Sequence, residues 1–175
     1  MFACSVAAVS DERERLGWDG FGSASRTLAS AIHDDGFEPD LILAIARGGL
    51  LVAGALGYAL SVKNLYTMNV EYYTGVDERL DVPMILPPIP DPSYLANAQV
   101  LIADDVADTG HTLAAVQEFC TGKVREVRAA VLYGKPRSVV KCEYQWRETD
   151  RWIEFPWSDK EPVAPPKSGH TVRDF

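Results

Sequence analysis

Cysteine is scarce in this chain of 175 residues, which contains only Cys4, Cys120 and Cys142. The number is odd, and no pair has the CxxC spacing, so neither a disulfide framework nor a zinc cluster is indicated. The three histidines are equally dispersed and suggest no metal site. Because scattered, reduced thiols are typical of the cytoplasm, we expect a cytoplasmic protein.

Basic clusters are also missing, since 17 Lys and Arg residues face 25 Asp and Glu residues, for a formal net charge of −8. Binding to a phosphate backbone needs a concentrated basic face, so we expect no nucleic-acid partner. Residues 41–60 form an apolar run of membrane-spanning length, but Arg47 lies in its middle, where a charge is costly in lipid. A buried strand, a glycine loop and a core-facing helix explain this run better, so we expect no membrane partner.

Apolar residues make up 47% of the chain and charged residues 24%, the balance of one soluble globular domain, which we expect to span residues 1–175. The apolar patterns predict helices at residues 18–35, 50–60 and 111–120, and strands at residues 41–46, 64–72, 99–103, 126–133 and 141–146. Alternating strands and helices predict a doubly wound, mainly parallel α/β sheet, with its core over residues 41–147. Such sheets bind ligands at the carboxyl ends of their strands.

The composition changes over residues 73–93, which contain Gly75 and five prolines. Proline removes a backbone donor, so we predict a long irregular loop in this segment. A loop of that length inside a domain is typically either functional or disordered. A second proline-rich stretch begins at Pro162, and we expect residues 161–175 to form a loosely ordered tail.

Residues 100–112 read VLIADDVADTGHT, in which four apolar residues precede a group of carboxylates and a Thr-Gly-His-Thr run that opens a helix. Asp104 and Asp105, at the end of a buried strand, can hold Mg²⁺ or a vicinal diol. The backbone N–H groups of the following residues 108–112 form a cradle for a phosphate monoester. Helix capping explains any one of these residues, but not three carboxylates and this run together. The other common phosphate motifs, GxxxxGK[ST] and GxGxxG, do not occur.

The segment resembles the 5-phosphoribosyl-1-pyrophosphate (PRPP) signature of the type I phosphoribosyltransferases at every defining position. Residues 41–50, LILAIARGGL, look like the pyrophosphate loop of that family. Residues 132–136, LYGKP, and 152–157, WIEFPW, look like the purine end of its site. The resemblance ends at Ser158 and is closest to the 6-oxopurine enzymes, those for xanthine, hypoxanthine and guanine. The resemblance implies the fold of the type I phosphoribosyltransferases, which has a doubly wound, mainly parallel sheet. It also implies a small C-terminal base-binding hood at residues 148–160.

The resemblance also implies a role for each matching residue. Asp104 and Asp105 would hold the ribose hydroxyls and position Mg²⁺. Asp108 would be the catalytic residue, exchanging a proton with the base near purine N7. The 5′-phosphate would be bound by Asp108, Thr109, Gly110, His111 and Thr112. The pyrophosphate would be bound by Arg47, Gly48 and Gly49. The purine would be bound by Lys135, Trp152 and Ile153.

The implied reaction is the Mg²⁺-dependent transfer of 5-phosphoribosyl from PRPP to a 6-oxopurine, giving a nucleoside 5′-monophosphate and pyrophosphate in purine salvage. Residues 73–91 would form a lid that excludes water, and the enzyme would be a dimer or tetramer. Ser158 replaces an aspartate that often follows the final Pro-Trp in short bacterial members, which leaves the preferred purine open. The alternatives are a phosphoribosyltransferase for another base and a non-catalytic regulator that binds PRPP or a nucleotide.

Overall fold

A computed structural model describes residues 13–75, 78–86 and 95–164, of which 71–75, 78–84 and 86 are described by their backbone only. The elements are α1 (Trp18–Asp34), α2 (Gly48–Leu60), α3 (His111–Cys120), β1 (Glu14–Arg15), β2 (Leu41–Ala46), β3 (Leu65–Gly75), β4 (Glu78–Leu86), β5 (Gln99–Ala107), β6 (Glu126–Gly134), β7 (Tyr144–Glu148) and β8 (Ile153–Glu154).

Six strands form the main sheet, in the order β4-β3-β2-β5-β6-β7. All neighbours are parallel except β3 and β4, which are antiparallel. Side chains alternate across the sheet, so Ile42 and Ala44 join the core under α1 and α2, while Leu41, Leu43 and Ile45 join the core under α3. Helices therefore cover both faces, and the predicted doubly wound, mainly parallel α/β fold is confirmed.

The helices form where the apolar spacing predicts them. In α1, Ala24, Leu28 and Ile32 recur every four residues and are buried against the sheet. The chain leaves α1 through Gly36, whose φ of +71° is readily adopted by glycine. Within the described ranges, no helix is both long enough and apolar enough to span a lipid bilayer.

The predicted irregular loop over residues 73–93 is wrong in its first half. There β3 continues to Gly75, and β4 pairs with it as an antiparallel edge strand. Pro83 falls in the irregular stretch between the pairs Glu71–Met84 and Tyr73–Arg79, and edge strands tolerate proline at such positions. Residues 76–77 and 87–94, the rest of the predicted loop, lie outside the described residues.

Two further strands differ in length from their predictions. β5 does not end at Ala103 but stays paired with β6 up to Ala107, opposite Gly134. Asp104 and Asp105 therefore lie inside a hydrogen-bonded strand rather than after it. β7 begins at Tyr144, three residues later than predicted, which leaves Cys142 in the connection between β6 and β7.

A second, two-stranded parallel sheet pairs β1 with β8, in the register Glu14–Ile153. The predicted hood over residues 148–160 contains β8, but its other strand comes from the N-terminal side, which was not predicted. Aromatic rings attach this hood to α1, since Trp157 stacks on Phe155 at 4.9 Å and meets Phe21 edge-on at 5.3 Å. Of the predicted tail, residues 161–164 are exposed, and the remainder lies outside the described residues.

Candidate functional site

The carboxyl ends of β2, β5 and β6 lie side by side because these three strands are parallel neighbours. β2 leads into Arg47, β5 into Asp108 and β6 into Lys135. The helices that follow β2 and β5, α2 and α3, begin at this same edge. The residues predicted to bind pyrophosphate (47–49), those predicted to bind the 5′-phosphate (108–112) and Lys135 therefore lie at one edge of the sheet.

Gly48 and Gly49 bring the start of α2 against β5. A β-carbon on Gly48 would lie 1.8 Å from Oδ2 of Asp105, and one on Gly49 would lie 2.4 Å from the carbonyl oxygen of Ala103. Only glycine allows so close an approach. The peptide bond between Ala46 and Arg47 is cis. The glycines form the first turn of α2, rather than the loop before a helix at residue 50 that was predicted.

Asp104 and Asp105 point to opposite faces of the sheet because β5 remains extended through both. Asp105 lies on the side of Gly48 and the Trp157 indole, and it is partly buried. Asp104 is only 9% exposed, and its Oδ1 accepts a hydrogen bond of 2.9 Å from the Asp105 backbone N–H. The two side chains flank the same strand end from its two sides.

Burial sets the electrostatics of this carboxylate pair. It raises the pKa of Asp104 well above its usual value, and the neighbouring charge of Asp105 raises this pKa further. Burial also raises the pKa of Asp105, against the opposing effect of hydrogen bonds from the Val106 backbone and the Trp157 side chain. Two neighbouring carboxylates that are both desolvated are unfavourable in the charged form without a cation or additional donors.

The carboxylate oxygens of Asp104 and Asp105 fit a Mg²⁺ ion that binds together with a phosphorylated substrate. The described part of the chain holds no group of three or more His, Cys, Asp or Glu side chains arranged for a metal ion. Mg²⁺ needs no such cage, since it commonly takes one or two carboxylates and completes its octahedron with water and substrate phosphate. The carboxylates of Asp104 and Asp105 carry hard oxygen atoms of the type that this arrangement uses.

The predicted phosphate loop, residues 108–112, turns from β5 into α3 at Gly110. Gly110 has a φ of +80°, and a β-carbon there would lie 2.4 Å from Oγ of Ser138. Thr109 and His111 are exposed, and Thr112 is partly buried. The N-cap of α3 is Gly110, which makes no side-chain capping hydrogen bond. A helix N-terminus of this kind is suited to receive an anion.

Asp108 forms an ion pair with Arg137, which follows β6 and was not predicted. Nε of Arg137 donates to Oδ1 of Asp108 at 3.1 Å, and the Arg137 Nη2 donates to the same oxygen. No motif marks Arg137. The available signal was its position two residues after Lys135, at the carboxyl end of a buried strand.

Lys135 joins the same edge. Its backbone N–H donates to the carbonyl of Ala107 at 2.9 Å, and its ammonium donates to the carbonyl of Arg151 in the hood. Partial burial lowers the pKa of Lys135, and the charge of Asp108 opposes this effect. The contact with residue 151 places Lys135 beside the hood residues predicted to bind the base.

Trp152 and Ile153 present different groups in the hood. The Trp152 side chain is 73% exposed and available for stacking, whereas the Ile153 side chain is buried. The carbonyls of Trp152 and Glu154 accept hydrogen bonds from the backbone N–H groups of Glu14 and Leu16, at 2.8 and 3.0 Å. In a parallel pair this pattern turns the N–H and C=O of Ile153 to the opposite edge of β8. Ser158 is exposed at the end of the hood.

Comparison with known proteins agrees with this geometry. Residues 17–160 match the profile of the phosphoribosyl transferase domain family. The xanthine-guanine phosphoribosyltransferase of Gluconobacter oxydans (strain 621H) is 29% identical over 152 residues, 85% of this chain and 86% of that protein. The protein of the same name from Roseobacter denitrificans (strain ATCC 33942 / OCh 114) is 30% identical over 154 residues, 81% and 83% of the two chains.

A solved structure is similar over almost the same length. The purine phosphoribosyltransferase from Pyrococcus horikoshii Ot3 has a TM-score of 0.73 and 32% sequence identity, and the match covers 88% of this chain and 99% of that one. The family profile matches well over half of the chain, which confirms the resemblance seen in the sequence. The chain belongs to the phosphoribosyltransferase family.

Proposed function

We propose that this protein is a purine phosphoribosyltransferase, which transfers 5-phosphoribosyl from PRPP to a 6-oxopurine and releases pyrophosphate. The observation that carries this proposal is the packing of Gly48 on Asp105, because it joins the segment matching a pyrophosphate loop to the strand that leads into the phosphate loop. The purine and xanthine-guanine enzymes named above support the purine class predicted from the sequence.

The proposed binding mode uses both helix N-termini at the site. The amides of residues 108–112, at the start of α3, receive the 5′-phosphate of PRPP. Arg47, Gly48 and Gly49, at the start of α2, receive the pyrophosphate. These cationic and dipolar groups provide a local positive field in a protein whose net charge is −8.

Asp104 and Asp105 are proposed to position the ribose hydroxyls and Mg²⁺. When bound, Mg²⁺ would neutralise charge that develops on the departing pyrophosphate. The burial of the two carboxylates supports this role, since their charges need compensation that the described residues supply only in part. The protein then contributes mainly orientation and charge stabilisation.

The base is proposed to lie between Lys135 and the hood. The Lys135 ammonium donates to the 6-oxo group, Trp152 stacks on the ring, and the backbone of Ile153 offers its N–H and C=O. As the bond from the purine nitrogen to ribose C1′ forms, the bond from C1′ to pyrophosphate breaks. Asp108 acts as general base for the purine proton, or as its donor in the reverse direction.

Turnover with single nucleobases tests the proposal. Pyrophosphate release is measured with PRPP, Mg²⁺ and hypoxanthine, guanine, xanthine or adenine, supplied in turn. We expect release with at least one 6-oxopurine and little with adenine, which lacks the 6-oxo acceptor for Lys135. Release only with a non-purine base would favour the alternative phosphoribosyltransferase. PRPP binding without release for any base would favour the non-catalytic regulator.

Two further expectations remain proposals. A lid over residues 73–91 would consist in part of the β3–β4 hairpin, which extends from the same sheet as the site. A cytoplasmic location is supported by Cys120 and Cys142, which are both free thiols in the structure.

Assembly into a homo-oligomer is also proposed. α2 contains no charged residue, yet Leu50 is 43% exposed and Tyr58 is 94% exposed on its outer side. An apolar helix face in contact with water favours association with a second copy.

A further inference from the structure

The connection between β6 and β7 packs directly on the phosphate loop. The backbone N–H of Val139 donates to the carbonyl of Thr109 at 2.9 Å. Next to it, Ser138 fills the space beside Gly110 so closely that a β-carbon on the glycine would clash with it. These contacts hold Arg137, the residue before Ser138, over the loop that carries Asp108.

The pairing of Arg137 with Asp108 has a distinct geometry. Two nitrogens of the Arg137 guanidinium, Nε and Nη2, both donate hydrogen bonds to the same oxygen of Asp108, Oδ1. A carboxylate held through one oxygen keeps a defined rotamer, and a proton arriving from a ligand would then be taken by the other oxygen, Oδ2. Arginine remains protonated under all ordinary conditions, so it cannot itself accept that proton.

We propose that Arg137 is a positioning residue for Asp108, which fixes the carboxylate in the orientation that exchanges a proton with the purine. This inference rests on the proposed acid–base function of Asp108. Because both side chains are about half exposed or more, the ion pair adds little to stability. Its consequence is therefore expected in turnover rather than in folding.

The test compares Arg137→Ala and Arg137→Lys with the wild-type enzyme in the pyrophosphate-release assay. Arg137→Ala should lower kcat by roughly 10- to 100-fold, because a misplaced acid–base group loses much of its effect. The KM values for PRPP and purine should change by about twofold at most, since a positioning role gives Arg137 no contact with either substrate. Arg137→Lys should restore part of kcat, because an ammonium supplies the charge without the two-pronged geometry.

A matched control and a double variant separate positioning from general damage. Arg125→Ala also removes an exposed ion pair, with Asp40, and should keep wild-type kcat. Asp108→Asn should lower kcat by on the order of 10²–10⁴-fold. Adding Arg137→Ala to Asp108→Asn should cause no further loss if arginine acts only through the aspartate.

Three results would overturn the inference. Wild-type kcat in Arg137→Ala would show that the pair does not orient Asp108. A raised KM for PRPP with unchanged kcat would make Arg137 a direct substrate ligand instead. A further, additive loss of kcat in the double variant would mean that Arg137 acts independently of Asp108. Failure of the proposed acid–base function looks different, because Asp108→Asn would then turn over at the wild-type rate.

Discussion

The carboxyl group of Asp104 is buried at a position that is unfavourable for a negative charge in the ligand-free protein. Burial raises its pKa, so the folded state holds the proton more tightly than the unfolded state does. The stabilising proton is fully bound below the unfolded pKa and is lost as the pH rises through the folded one. At neutral pH, above the unfolded pKa of an aspartate, the burial of Asp104 therefore lowers the stability of the ligand-free protein. We interpret this as the consequence of holding the proposed site for a cation and a sugar.

Asp104→Asn should therefore stabilise the free protein at neutral pH. The amide keeps an oxygen for the Asp105 backbone N–H but removes the buried charge. We expect a gain of about 1 kcal/mol, or roughly 2–4 °C in Tm, by calorimetry. The gain should vanish at acidic pH, where Asp104 of the wild-type protein is protonated, while PRPP binding should weaken. Glu118→Gln, on the exposed surface of α3, is the control and should leave Tm nearly unchanged. A lower Tm in Asp104→Asn at neutral pH would contradict the assigned cause.

Lys135→Ala should weaken purine binding. A hydrogen bond from a charged donor typically contributes about 1.5–3 kcal/mol, so the purine KM should rise by roughly 10- to 100-fold. The KM for PRPP should change little. Lys141→Ala removes an exposed lysine from the same connection and should behave like the wild type. An unchanged purine KM in Lys135→Ala would remove Lys135 from the base site.

Contacts that depend on side-chain geometry were less predictable than the motif itself. The motif residues 104–112 are contiguous, so sequence alone places them together. Arg137 reaches Asp108 from the connection after β6, 29 positions away, and no local pattern encodes that pairing. The opposite orientation of Asp104 and Asp105 follows from the length of β5, which depends on pairing with β6 rather than on composition.

Close packing between α2 and β5 determines the shape of the site. Gly48 leaves room for the Asp105 carboxylate, and any side chain would displace it. Gly48→Ala should therefore lower kcat/KM for PRPP by on the order of 10²-fold, since small displacements of positioning groups have effects of that size. The measurement is steady-state kinetics with PRPP as the varied substrate.

Gly22→Ala provides the matched control for Gly48→Ala. Gly22 also lies in a helix, α1, but a β-carbon there meets no atom within 4 Å. The Gly22→Ala substitution should stabilise the fold by up to about 1 kcal/mol through helix propensity, and it should leave the kinetics unchanged. Equal kinetics in the two glycine variants would refute the idea that Gly48 is required for the approach to Asp105.

The elements that sequence predicted well are those with long apolar patterns. β2 matches its prediction because its six apolar residues are central in the sheet. β4 was missed because its proline and charges are tolerated only at an edge, and an edge position is set by the whole sheet. The β1–β8 pair was missed because strands of two residues carry no periodicity. Element type followed from local pattern, whereas edges and ends depended on tertiary pairing.

The exposed apolar face of α2 predicts association of the whole molecule. Light scattering should give a wild-type mass of two or four chains. Tyr58→Asp places a charge on that face and should shift the mass toward one chain, whereas Ser30→Asp, on the exposed side of α1, should not. A wild-type protein of single-chain mass, or an intact oligomer in Tyr58→Asp, would contradict the assignment of this face.

The most direct measurement is identification of the nucleotide product. The wild-type protein is incubated with PRPP, Mg²⁺ and each 6-oxopurine, and the products are separated and weighed by mass spectrometry. The convergence of residues 47–49, 104–112 and 135 at one sheet edge predicts a nucleoside 5′-monophosphate of the supplied purine, formed in equal amount with pyrophosphate. Bound PRPP that yields no nucleotide with hypoxanthine, guanine or xanthine would contradict it.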